Sequence, residues 1–181
     1  MENFAFVCGI LGITLSTLGI SAFAFREHKL GSRRTLSDLA AKNSKTLKEF
    51  RAILWVCGSL ISVMMYFLVI PNISSGSWLL IFYTVIIFCE LTLAIIPAGK
   101  DRIGKFHDFL AYSKGVGMLA LTLTFALILQ GSYSVVEFIL LSIMTIFCLL
   151  SIKFWDYFLF FELPFIFLSH MSILLAAIAV R

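Results

Sequence analysis

Six long apolar runs decide what this chain can fold into. A membrane-spanning helix needs roughly 20 consecutive apolar residues, and the breaks between the six runs are short segments of turn-forming and charged residues. The runs are 4–25, 52–71, 78–98, 109–130, 134–152 and 154–180. Each run is predicted to be a helix, because a spanning segment must satisfy its own backbone hydrogen bonds in lipid. The predicted fold class is therefore all-α: one integral membrane bundle of six transmembrane helices over residues 1–181.

Composition and charge exclude the soluble classes. Hydrophobic residues make up 61% of the chain and charged residues 13%, whereas a soluble domain has about half and a quarter. The net charge of +4 does not indicate nucleic-acid binding, because eight of the 14 Lys and Arg residues lie in the single loop 26–51. Such clustering is typical of membrane orientation. We expect the lipid bilayer as a partner and no nucleic acid.

The loop charges also predict the orientation. Positive residues occupy loops 26–51 and 99–107 and the junction at Lys153, whereas loops 72–77 and 131–133 have none. By the positive-inside rule the charged loops face the cytoplasm and both termini face outside. The first run follows Glu2 rather than a basic segment, so we expect a retained helix and not a signal peptide. The predicted location is a cell membrane, crossed several times.

Loop 26–51 is the only polar segment of any length. Thr35 is a candidate N-cap with Asp38 three residues later. Apolar residues then recur at helical spacing, which predicts an interfacial amphipathic helix that runs into the second spanning helix; they are Leu36, Leu39, Ala40, Leu47 and Phe50. Its lysines would attract anionic lipid. The alternative is a solvated loop that only sets orientation.

Three ionisable residues fall inside the apolar runs. Glu90, Lys114 and Glu162 belong to three different predicted helices, yet at 1.5 Å per residue all lie roughly 10–12 Å from the cytoplasmic boundary. An ionisable group at such depth marks a functional site by default. The hypothesis is an ion or substrate pathway that also includes His107 and Asp108 near its entrance. The alternatives are a pair that only ties helices together and a lysine that extends to the headgroups.

Other polar residues receive simpler interpretations. Pro164 lies two residues after Glu162 and could open a kink beside it. Glu137 is expected to be solvated near one interface and Asp156 near the other. His170 is placed in the outer half of the last helix, too far from His107 for a shared haem. The sequence predicts no metal site and no cofactor, and it predicts free cysteines, since all four stand far apart in apolar runs.

Small residues form a stripe along the first run. Gly9, Gly12, Ser16 and Gly19 follow one another at spacings of three and four, which lets a second helix approach closely. The stripe predicts packing inside the bundle. The alternative is a seam for a homodimer or for a partner membrane subunit.

Two neighbouring motifs carry a resemblance. The first is Ile96-Pro97-Ala98-Gly99-Lys100-Asp101-Arg102, and the second is Phe106-His107-Asp108-Phe109-Leu110-Ala111-Tyr112. They resemble a bacterial family of six-to-seven-helix membrane proteins with a domain of unknown function, and the layout is similar, more distantly, to DRAM-type membrane proteins. The resemblance implies an integral protein of a bacterial inner membrane. It singles out Pro97, His107 and Asp108 as motif positions without giving them a role.

Three functions remain open from the sequence. The first is a protein that moves or senses a proton or a small solute at the intramembrane charges. The second is a structural or accessory subunit in which those charges only stabilise the bundle. The third is a lipid-modifying enzyme that uses His107 and Asp108 for acid–base chemistry, although no nucleophile or metal set accompanies them.

Overall fold

A computed structural model describes residues 1–27, 35–41, 43–73, 76–96, 98, 102–154 and 158–181. Over this part of the chain the regular elements are all helical. They are α1 (Glu2–Glu27), α2 (Leu36–Ala40), α3 (Ser44–Met64), a π-helical turn (Met65–Val69), α4 (Ile70–Asn72), α5 (Gly76–Ile95), α6 (Arg102–Ile128), α7 (Ser132–Lys153) and α8 (Phe158–Ala179). Since α3, the π-helical turn and α4 are continuous, six helices are long and apolar enough to cross a membrane. The predicted fold class is confirmed.

Two helices begin earlier than their apolar runs. The second spanning helix starts at Ser44 rather than 52, because the Asn43 side chain caps it by accepting the backbone N–H groups of Lys45 and Thr46 at 3.0 and 2.9 Å. Helix α6 starts at Arg102 rather than 109. Hydropathy locates only the apolar part of a helix, whereas the hydrogen-bonded backbone continues into polar turns.

Helix α1 packs on α3 through the small-residue stripe. A Cβ added at Gly9 would lie 2.1 Å from the Met64 sulfur, and one at Gly12 would lie 2.8 Å from the Leu60 side chain. The two backbones therefore approach too closely for any larger residue. The stripe therefore packs inside the bundle, as predicted.

Segment α2 packs on the protein. Thr35 and Asp38 form the predicted capping box, but the helix ends at Ala40 and does not run into α3. Leu36 and Leu39 are each 2% exposed, in a core cluster formed with α1 and α3. The prediction of a lipid-facing amphipathic helix is wrong for α2, because its apolar face is covered by protein.

Several predicted features lie outside the described residues. These are His28, Lys29, Arg33, Arg34, Lys42, Pro97, Gly99, Lys100, Asp101 and Asp156.

The outer surface carries large apolar side chains. Phe88, Phe109 and Ile152 are each more than half exposed. Hydroxyl groups on this surface bond within their own helices: Thr92 donates to the Phe88 carbonyl at 2.7 Å, and Thr145 to the Leu141 carbonyl at 2.8 Å. An apolar surface whose hydroxyl groups are hydrogen-bonded within their own helices suits contact with a lipid bilayer.

Both termini lie at one end of the bundle, where the Arg181 guanidinium donates to the Asn3 side chain at 2.9 Å. The opposite end, which we call the α2 end, holds most of the basic residues that the structure describes. There Arg26 pairs with Glu49, and Arg51 of α3 donates to the Ile95 carbonyl that closes α5 at 2.6 Å. A cation at the C-terminus of a helix satisfies a free carbonyl and complements the helix dipole.

Candidate functional site

A cavity of about 480 Å³ lies between the helices. It extends from α2 into the interior and is lined by side chains of α1, α2, α3, α5, α6, α7 and α8. Most of the lining is apolar. All five residues singled out from the sequence line it: Glu90, His107, Asp108, Lys114 and Glu162.

Glu90 and Lys114 form an ion pair across α5 and α6. The ammonium nitrogen lies 3.3 Å from a carboxylate oxygen, and the side chains are 19% and 25% exposed. The two residues therefore lie at the same level along the bundle, as the sequence predicted. Glu90 is five residues from the end of α5, whereas Lys114 is 12 residues from the start of α6. Helix α6 thus extends about 10 Å beyond α5, and this extension carries Arg102 and Lys105.

Glu162 has a different partner from the one expected. Its carboxylate accepts a hydrogen bond of 3.0 Å from the backbone N–H of Leu36, at the first turn of α2. That N–H has no acceptor within its own helix, so the carboxylate both satisfies it and faces the positive end of the peptide dipoles. No basic side chain in the described ranges forms an ion pair with Glu162. The predicted three-membered cluster is therefore one ion pair and one separate carboxylate in the same cavity.

His107 and Asp108 stand at the α2 end of α6 and have separate environments. The His107 ring is buried, and its Nδ1 lies 2.7 Å from the Ile96 carbonyl oxygen. A carbonyl can only accept, so Nδ1 carries the proton in this contact, and the bond ties α6 to the end of α5. Asp108 is exposed. Within the described segments no hydrogen bond joins the two side chains.

His170 is a cavity residue that the sequence interpretation missed. It lies eight residues after Glu162 on α8 and lines the same cavity. Its Nδ1 is buried and has no hydrogen-bond partner among the residues that the structure describes. The available signal was its neighbour Ser169, which shares a helix face with Glu162 and also lines the cavity.

Glu137 contradicts its predicted solvation. Its side chain is 0% exposed, and one carboxyl oxygen accepts a 2.7 Å hydrogen bond from the Ser172 hydroxyl of α8. The other oxygen has no partner in the described part of the chain. The residue is six positions from the Gly131 turn, but α7 turns it towards α8. Position along the chain predicted its depth and could not predict its direction.

Pro164 lies inside α8. The helix continues through it, and the Phe160 carbonyl beside Glu162 loses its usual donor. The four cysteines are free. No group of three or more His, Cys, Asp or Glu side chains that could hold a metal ion occurs within the described ranges.

Comparisons with protein-family models, with curated proteins and with solved structures gave no match to this chain. The resemblance to the bacterial membrane family therefore stays a prediction. What is established is an all-helical protein with six helices suited to a membrane and with an internal cavity that contains an ion pair.

Proposed function

We propose that this multi-pass membrane protein takes a proton or a small solute into the cavity between its helices and moves or senses it. The observation that carries the proposal is the Glu90–Lys114 ion pair at 3.3 Å in a cavity shared with Glu162. Ionisable groups are costly at membrane depth, and they are retained mainly where they face a polar pathway or each other.

The charges of the interior support a site for a proton or a cation. Lys114 forms its ion pair with Glu90, whereas Glu162 accepts a backbone hydrogen bond from Leu36 and interacts with Lys114 only at longer range. A carboxylate in such surroundings gains stabilisation from any cation that enters. We also propose that the α2 end faces the cytoplasm of a bacterial cell, since Arg26, Arg51, Arg102 and Lys105 lie there.

Proton flux into vesicles tests the proposal. The purified protein is reconstituted in liposomes that hold a pH-sensitive dye, and a pH step is applied from outside. Faster equilibration than in empty liposomes is expected, with loss of the difference in Glu90→Gln and Glu162→Gln. Glu2→Gln is the matched control for both variants, because Glu2 is exposed and lies outside the cavity.

A structural or accessory role is the second candidate, because the Glu90–Lys114 pair joins neighbouring helices. This role predicts that cavity variants lower stability and that the native protein moves no protons. Native liposomes that equilibrate no faster than empty ones, and pairing variants that unfold more easily, would favour the structural role.

A further inference from the structure

We infer that the ligand of this cavity is a hydrophobic organic cation, such as a compact amphiphilic amine or a quaternary onium ion. The inference rests on the proposed function, because it names the substrate class of the same site. Three observations support it: the charge of the cavity lining, the aromatic rings in that lining, and the volume of the cavity.

The first observation is the charge of the lining. The described residues around the cavity include one basic side chain, Lys114, against four acidic ones, Asp38, Glu90, Asp108 and Glu162. This excess of negative charge occurs in a chain whose net charge is +4. Since Lys114 is already paired with Glu90, the cavity offers an entering anion no free cation among these residues.

The second observation is the set of rings near Glu162. Phe161 and Phe165 belong to the same helix, and Phe147 of α7 stands 6.2 Å from Phe161 between ring centroids; all three line the cavity. The faces of aromatic rings attract cations, and quaternary ammonium groups are bound in this way in other proteins. A cavity lined by both a carboxylate and phenylalanine rings favours a cation whose charge is surrounded by carbon.

The third observation is the space. A volume of about 480 Å³ lies within the range of small-molecule sites, and it far exceeds what a bare metal ion would fill. Apolar side chains such as Ile20, Leu54 and Ile86 complete the wall. A Cβ added at Gly115 meets no atom within 4 Å, so the cavity is open beside α6.

A pair of ions of the same shape and opposite charge tests the inference. Tetraphenylphosphonium and tetraphenylborate each carry four phenyl rings around a central charge. Binding to the full-length protein in nanodiscs is measured by equilibrium dialysis, with empty nanodiscs as the blank. We expect saturable binding of the phosphonium only. Glu162→Gln, which keeps shape and removes charge, should weaken it by about 30-fold or more, whereas Glu2→Gln, an exposed residue outside the cavity, should leave it unchanged.

Gly115→Leu provides a second variant that does not depend on charge. The new side chain enters open space, so the fold should persist while phosphonium binding is lost. Saturable binding of the borate, or phosphonium binding unaffected by both Glu162→Gln and Gly115→Leu, would overturn the inference. If neither ion binds but liposomes still show proton flux that depends on Glu162, the cation inference fails and the proposed function stands. Absence of both binding and flux overturns both.

Discussion

The Lys114→Met substitution gives the sharpest test of how the intramembrane charges are held. At 3.3 Å and an effective dielectric constant of about 20, the Coulomb attraction of the pair is about 5 kcal/mol. Partial exposure of both side chains and the cost of burying them reduce the net value. Removal of one partner also leaves Glu90 without its cation. We therefore expect a loss of about 3 kcal/mol in the free energy of unfolding, at the lower end of the range for broken buried pairs.

Thermal unfolding in detergent measures this effect. A loss of about 3 kcal/mol corresponds to a Tm lowered by roughly 6–12 °C for a chain of this size. The double variant Lys114→Met with Glu90→Gln removes both charges and should unfold closer to the native temperature. Lys105→Met serves as the control on the same helix. If Lys114→Met unfolds at or above the native temperature, the lysine extends to the headgroups and the reasoning about a paired site is refuted.

Three further predictions concern topology and packing. A single cysteine at exposed Ser44, in a background without the native cysteines, should resist an impermeant reagent added outside cells; efficient labelling would reverse the orientation. Ser172→Ala should lower the free energy of unfolding by about 1–3 kcal/mol, because it removes the hydroxyl that donates a hydrogen bond to buried Glu137. The isosteric Glu137→Gln should lower it by less. Equal melting temperatures for the native protein and Ser172→Ala would contradict this prediction. Gly9→Ala should lower the melting temperature strongly, since its Cβ would lie 2.1 Å from a side chain of α3. Gly115→Ala should leave the melting temperature unchanged, because its Cβ meets no atom within 4 Å. Similar melting curves for the two variants would show that α1 does not pack as described.

Features that depend on residues close together in the sequence, such as helix caps, could be predicted from the sequence. Thr35 and Asp38 predicted a capping box that is present, because a cap involves residues only three positions apart. The common depth of Glu90 and Lys114 followed from helical rise alone, and their contact bears it out. The same arithmetic placed Glu162 at the depth of these residues, and it lines the same cavity, but helical rise could not predict its hydrogen bond from the Leu36 backbone.

Six helices suited to a membrane follow from the amino-acid order alone, because runs of about 20 apolar residues have no other stable form in lipid. The amino-acid order also determines where charge is concentrated along the chain. The direction of the polar side chains emerged only in the folded bundle, where Glu137 faces Ser172, His170 lines the cavity, and Glu162 faces the backbone N–H of Leu36. The physical reason is that helices such as α7 and α8 are apolar around most of their circumference, so no amphipathic pattern marks the inner face. The direction of each side chain is set by contacts between helices that are distant in sequence.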